Sequence, residues 1–156
     1  MAWRASSDEL KGAKGPERKE QMLGRIDRKV PVGLIGYLDG VPTAWVSVAP
    51  RDTFRGLGGP QAQAGEKIYS LTCMFVPRTL RGQGFGHELI QAAIAYARKR
   101  GATVLEAYPV DPESPSYRHM GFLAAFETAG FTEVGREGSR RHVVRLTLPQ
   151  SSAPES

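Results

Sequence analysis

Residues 67–101 read KIYSLTCMFVPRTLRGQGFGHELIQAAIAYARKRG, and this stretch decides the fold. Its first ten residues, Lys67 to Val76, are dominated by Ile, Tyr, Leu, Thr, Cys, Met, Phe and Val. Such side chains favour a pleated strand, and Pro77 ends its pairing. After Gly84 the apolar period changes to that of a helix. Phe85, Leu89, Ile90, Ala93, Ile94 and Ala97 form one stripe, Arg98, Lys99 and Arg100 sit where the helix dipole favours cations, and Gly101 terminates the run.

Between strand and helix lies Arg81-Gly82-Gln83-Gly84-Phe85-Gly86. Three alternating glycines strip side chains from the start of the helix, so the unpaired N–H groups of its first turn are open to a bulky anion. The dipole and Arg81 add positive charge at the same point. The pattern reads as a pyrophosphate cradle. It is not the dinucleotide fingerprint, whose third glycine comes one residue later, nor a P-loop, since the closing Lys-Ser/Thr pair is absent. Taken alone it reads equally well as a glycine-rich turn that starts a helix.

Outward from this unit the chain alternates strands and helices. Ser6 to Lys29 is polar, with Ser6 or Ser7 placed to cap a helix containing Leu10, and Met22, Leu23 and Ile26 at helical spacing. One or two amphipathic helices broken near Gly15-Pro16 are expected. Val32 to Leu38 and Val41 to Val48 flank Asp39-Gly40, a type I′ hairpin signal. Pro50 to Gly65 has no period and reads as a long loop with room for a binding role.

Downstream, Thr103 to Tyr108 reads as a strand, and the helix before it makes a parallel crossover with Lys67 to Val76 the economical topology. A helix from about Tyr117 to Ala129, stopped by Gly130, and an antiparallel pair from Phe131 to Arg136 and His142 to Leu148 complete the reading. The fold class is thus α/β: a mixed, mostly antiparallel sheet with one parallel pair, flanked by helices.

The 156 residues suit one domain over 1–148, with 149–156 a polar, proline-bearing tail expected to be disordered. The single cysteine, Cys73, excludes an internal disulfide, and three scattered histidines argue against a zinc site. No apolar run approaches the roughly 20 residues of a membrane helix, and the N-terminus lacks a signal-peptide core, so a cytoplasmic chain without a membrane partner is expected. A net charge of +5, spread among acids, is too diffuse for a nucleic-acid surface and suits a phosphorylated cofactor. A monomer or a homodimer is compatible with this composition.

The run Val76-Pro77-Arg78-Thr79-Leu80-Arg81-Gly82-Gln83-Gly84-Phe85-Gly86 resembles the signature Arg/Gln-x-x-Gly-x-Gly/Ala of the GNAT superfamily of N-acetyltransferases. Phe126-Glu127-Thr128-Ala129-Gly130-Phe131 is similar to that family's second landmark, a helix ending in Gly-Phe before the last hairpin. Both occur in the family's order, with Thr103 to Tyr108 between them. The resemblance covers roughly Val32 to Leu148. It implies acetyl-CoA as cosubstrate, an amine as acceptor, and a sheet that splays between the two parallel strands; a small-molecule amine is the leading expectation for the acceptor. It also implies that backbone groups of Met74 and Val76 bond the pantetheine amides; a backbone N–H near Phe75 or Val76 is the expected donor to the oxyanion. Arg81, Gly82, Gln83, Gly84, Phe85 and Gly86, with His87, would hold the pyrophosphate. Two departures stand out: the family's first strand is very short or missing here, and Phe126 occupies the place of the tyrosine that protonates the departing thiolate.

Acetyl transfer needs a neutral amine, donors for the oxyanion and a proton for the leaving sulfur. Glu106 is the first candidate for general base, because strand alternation puts Val104, Glu106 and Tyr108 on one face; a solvated or ion-paired carboxylate is the alternative. Tyr108 and Tyr117 are candidates to replace the missing acid, against plain packing roles. Cys73 reads as a small buried hydrophobe rather than an acyl carrier, and His119 as a residue that orients substrate or caps a helix. Acetylation of a protein N-terminus or lysine, and a CoA-binding module without turnover, are also compatible with these residues.

Overall fold

Asp39 and Gly40 both take positive φ, 50° and 78°, the turn geometry that matches the right-handed twist of a hairpin. They join Leu34–Leu38 (β1) to Val41–Pro50 (β2) in an antiparallel pair. The computed structural model describes residues 3–150, so the expected tail beyond Gln150 lies outside the described residues. Four further strands follow: Ile68–Phe75 (β3), Val104–Ala107 (β4), Thr132–Glu137 (β5) and Arg141–Thr147 (β6). They form one sheet in the order β1-β2-β3-β4-β6-β5, in which only β3 and β4 run parallel.

Ser7–Leu10 (α1) is capped as its sequence suggests. Ser6 Oγ accepts the Glu9 N–H and the Glu9 carboxylate accepts the Ser6 N–H, a reciprocal box that satisfies two otherwise unpaired donors. The expected break comes earlier than Gly15-Pro16, which instead open Gly15–Asp27 (α2). Proline has no N–H to lose in a first turn. No strand precedes α1 among the described residues; the Trp3 carbonyl instead accepts the Arg55 N–H at 2.7 Å.

Phe85–Lys99 (α3) lays its predicted stripe of Leu89, Ile90, Ala93, Ile94 and Ala97 on one face of the sheet, against Val46, Val48, Leu71 and Leu105. Each fully buried Leu or Ile there contributes roughly 2 kcal/mol. The opposite face is covered by the N-terminal segment and the loop after β2. It carries a second apolar cluster of Ala49, Phe54, Leu57, Tyr108, Met120 and Val143, with a row of buried polar groups at Ser47, Ser70, Thr72 and Glu106.

The helix expected over Tyr117 to Ala129 is two pieces. Arg118–Met120 is one 3-10 turn, and Leu123–Thr128 (α4) starts only after Gly121 and Phe122. The interruption is tertiary. Val110 donates to the Gly121 carbonyl at 2.9 Å and accepts from the Leu123 N–H at 3.1 Å, which holds the chain extended at Phe122. Gly121 has φ 87°, and a Cβ there would stand 2.6 Å from Met74 Cε and 2.8 Å from Phe126 Cε2. Only glycine fits, and the Arg118–Met120 turn is thereby brought over the end of β3. Among the described residues no helix is long and apolar enough to cross a membrane.

Candidate active site

The parallel strands part where the resemblance places a cleft. β3 pairs with β2 as far as Phe75, but with β4 only from Ile68 to Leu71, opposite Val104 to Ala107. Between Ser47 and Val48 the β2–β3 register slips, so that Thr72 is the extra residue of a bulge. Bulges bend a strand and end pairing, and this one sits at the point of divergence. The edge of β3 from Thr72 to Phe75 therefore lacks a strand neighbour on the β4 side.

A cavity of about 530 Å³ opens beside that edge, lined by Met74, Phe75 and Val76 at the end of β3, Arg81, Gly86, His87 and Ile90 from the glycine loop and α3, and Arg118, His119, Gly121, Phe122 and Ala125 opposite. Glu88 donates to the Gly84 carbonyl at 3.1 Å. The N–H groups of Phe85, Gly86 and His87 precede that first helical bond and lack intrahelical acceptors. Space is open where a Cβ would stand on Gly82, Gly84 or Gly86. Arg81 is anchored by its Nε donating to the Val76 carbonyl at 3.1 Å, which leaves the rest of the guanidinium at the mouth. An unpaired strand edge running into a cationic, side-chain-free helix start fits an extended amide chain ending in a pyrophosphate. Of the expected residues, Met74, Phe75, Val76, Arg81, Gly86 and His87 line this cavity; Gly82, Gln83 and Gly84 form the turn leading to it, and Phe85 lines an apolar cavity on the other side of that turn, between the β1–β2 hairpin and α3.

A second, smaller cavity of about 90 Å³ lies on the covered face of the sheet, bounded by Trp3, Arg4, Met22, Trp45, Ser47, Phe54, Thr72, Cys73 and His119. Thr72 and Cys73 are the residues of β3 immediately before those that line the larger cleft, and His119 lines both. Arg4 is held rigidly in this wall: its guanidinium donates to the carbonyls of Pro31 and Val32 and to Ser47 Oγ, and it stacks 4.4 Å over the Phe54 ring. Burial, followed by the nearby Arg25 charge, lowers its pKa to about 10. Burial pushes the Cys73 thiol up, against the thiolate that an acyl carrier needs.

The three candidates for acid–base work are not brought together. Glu106 shares a face with Tyr108 as alternation predicted, but lines neither cavity. It is fully buried, ion-paired to Arg145 at 2.7 Å and Arg51 at 3.1 Å, and accepts the Tyr108 hydroxyl at 2.7 Å. Gly59 closes over it; a Cβ on that residue would lie 2.6 Å from the carboxylate. Arg51 and Arg145 pass on the anchorage by donating to the Pro60 carbonyl at 2.8 and 3.0 Å. The carboxylate is thus engaged in fastening the loop after β2 to the sheet. Tyr108 is equally committed, 2.7 Å from Ser70 Oγ, and burial and the Glu106 charge raise its pKa well above the ordinary value. Tyr117 lies outside both cavities, at φ 59°, with its ring 6.0 Å from Trp3 and under the Arg141 guanidinium. Phe126, at the tyrosine position of the resemblance, is fully buried edge-on to Phe131.

Sequence reasoning missed Trp3, Arg4, Arg51 and Arg145. A tryptophan and an arginine beside the N-terminus carry no periodic signal, and arginines read as solvated charges until the fold buries them.

The sequence pattern of the acetyltransferase (GNAT) family matches residues 2–122. No curated protein matches the chain. Solved structures with a similar fold include the ribosomal-protein-alanine N-acetyltransferase of Brucella melitensis. It is 21% identical, with 87% of this chain and 80% of that one covered and a TM-score of 0.54. The PaiA N-acetyltransferase of Thermoplasma acidophilum, solved in complex with coenzyme A, is 13% identical over 84% of this chain and 72% of that one, with a TM-score of 0.57. YncA, a putative acetyltransferase of Salmonella typhimurium solved with acetyl-CoA, is 21% identical over 92% and 79%, with a TM-score of 0.53.

Proposed function

We propose, from the premise that this chain belongs to the acetyltransferase (GNAT) family and is an acetyl-CoA-dependent acyltransferase, that it acetylates a small primary amine by direct attack in a ternary complex. The observation that carries this reading is the meeting of two cavities along β3. The larger suits the pantetheine arm and pyrophosphate; the smaller, entered from the other face, suits the acceptor. Met74, Phe75 and Val76 offer backbone groups to the pantetheine amides and the developing oxyanion, and residues 81–87 offer N–H groups and positive charge to the pyrophosphate. The thioester then lies near Cys73 and Met74, in reach of an amine in the smaller cavity. Proximity of this kind can supply about 7 kcal/mol or more of the barrier.

The acceptor cavity also narrows the class of amine. Its walls are mainly the rings of Trp3, Trp45 and Phe54 with Met22 and Cys73, joined by Ser47, Thr72 and His119; its charged wall residue is an arginine, and no Asp or Glu lines it among the described residues. Polyamines and aminoglycosides, which need acidic partners for their extra ammonium groups, fit it poorly. A monoamine with a compact apolar body fits it well. The size of the cavity also favours a second reading, the terminal amine of a peptide whose first residue is small. Thiol release from acetyl-CoA, measured with wild-type protein against monoamines, polyamines, aminoglycosides and peptides beginning with Ala, Ser, Leu or Lys, tests both. Turnover is expected for compact monoamines above all. Preference for polycations would overturn the acceptor class, and preference for Ala and Ser peptides would establish the second reading.

A further inference from the structure

We infer that His119 is the proton acceptor of the transfer, standing between the two substrates and serving the attacking amine and the leaving sulfur in turn. It takes this part only if the chain transfers acetyl groups as proposed above. Of the described residues, His119 lines both the larger cleft and the smaller cavity. It is held there by the Arg118–Met120 turn, which the pairing of Val110 with Gly121 and Leu123 fixes over the end of β3.

Elimination strengthens the assignment. An amine entering the smaller cavity must lose a proton to a group within reach, and among the described residues neither cavity has a carboxylate in its wall. Glu106 lies outside both, under Gly59 and two guanidiniums. Among the described residues, the titratable and charged groups that face this junction are Arg4 from the N-terminal segment, Cys73 from β3, Arg118 from its own turn, and Arg81 and His87 at the glycine loop. The arginines stay protonated, the Cys73 thiol is pushed up by burial, and His87 belongs to the first turn of α3, at the pyrophosphate end. His119 remains. Neither of its ring nitrogens is engaged by a partner among the described residues. Partial burial and a nearby positive charge lower its pKa below the ordinary value for histidine, so the imidazole is neutral near pH 7 and free to accept.

The step balances without a further reactant. The amine nitrogen bonds to the thioester carbonyl carbon, the carbon–sulfur bond breaks, and the proton released by the nitrogen passes to His119. The imidazolium then returns that proton to the departing thiolate, leaving amide, thiol and neutral His119. One histidine thereby covers both proton transfers, including the one for which Phe126 has no hydroxyl.

The test is the pH dependence of kcat/KM with one good monoamine, for wild type, His119→Gln and His119→Ala, beside the rise in Tm on adding acetyl-CoA. For wild type an acidic limb is expected below neutrality, where His119 is protonated. For His119→Gln the expectation is a loss of about a hundredfold or more near pH 7, an unchanged acetyl-CoA shift, and recovery of rate at high pH as the amine deprotonates in solution. Added imidazole should partly restore His119→Ala and leave His119→Gln and wild type alone. Wild-type rate and limb in His119→Gln would overturn the role of His119 while leaving acetyl transfer standing. Failure of the wild type to release thiol with any amine, despite binding acetyl-CoA, would overturn both.

Discussion

The two cavities that meet at His119 are built in opposite ways. The larger draws its recognition from backbone: an unpaired stretch of β3 and the first turn of α3, supplied by nearly consecutive residues from Thr72 to His87. The smaller draws its walls from side chains as far apart as Trp3 and His119, held by Arg4, Phe54 and the anchored loop after β2. Backbone recognition tolerates almost any side chain that stays out of the way. Side-chain recognition requires each distant anchor to hold, and it is where one family member can differ from another in the amine it takes.

That contrast can be broken most sharply from the cofactor side. Gly84→Asp puts a carboxylate into the open space at the pyrophosphate position, at φ 88°. The rise in Tm produced by acetyl-CoA should vanish, and thiol release with it, while the unliganded Tm falls by only a few degrees, since a side chain at this left-handed φ costs roughly 1–2 kcal/mol. An undiminished shift would show that the anion binds elsewhere. The complementary experiment is Glu106→Gln, on the covered face of the sheet, which leaves the Arg51 charge uncompensated under the loop and leaves Arg145 only its longer contact to Glu66, at 3.9 Å. Breaking a buried pair costs about 3 kcal/mol or more, roughly 6–12 °C in Tm for a chain of this size, and the acetyl-CoA shift should survive. A stable Glu106→Gln protein that binds acetyl-CoA yet loses turnover, with recovery at high pH, would return the carboxylate to the role of base. The smallest effect is expected for Phe126→Tyr. Its hydroxyl would enter the core beside Phe131 without a partner, costing about 1–3 kcal/mol, with no gain in rate because the ring lines neither cavity. A faster enzyme would mean that the position still serves the sulfur.

The same division explains what could be read before the structure. The hairpin at Asp39-Gly40, the stripe of α3 and the glycine loop are local: turn chemistry and periodicity specify them, and each stands where the sequence puts it. Alternation along β4 correctly grouped Glu106 with Tyr108. It could not say that the carboxylate is taken up in ion pairs, because that depends on Arg51, 55 residues away, and Arg145, 39 residues away. The long helix expected from Tyr117 failed for a similar reason. The residues from Gly121 to Ala129 have adequate helical character, but Val110 claims the backbone at Gly121 and Leu123, and that bond was invisible to a local pattern. His119 reads in the sequence as a residue that orients substrate or caps a helix, and only the second cavity, formed by distant segments, gives it a place between two sites.

The unpaired edge of β3 also bears on how this protein keeps itself apart from its neighbours in a crowded solution. An open strand edge recruits other chains and seeds aggregation. Here the longest unpaired run of backbone near the middle of the sheet faces inward, walled by α3 on one side and the Arg118–Phe122 turn on the other. The outer edges are protected by different means: β1 is five residues long with an irregular register at Gly36/Tyr37, and β5 carries Glu133, Arg136 and Glu137. A slender arm such as pantetheine can thread the cleft, whereas a strand of another chain arrives with side chains on both faces and meets those walls. The geometry that admits the thioester thus doubles as a steric guard against misassembly.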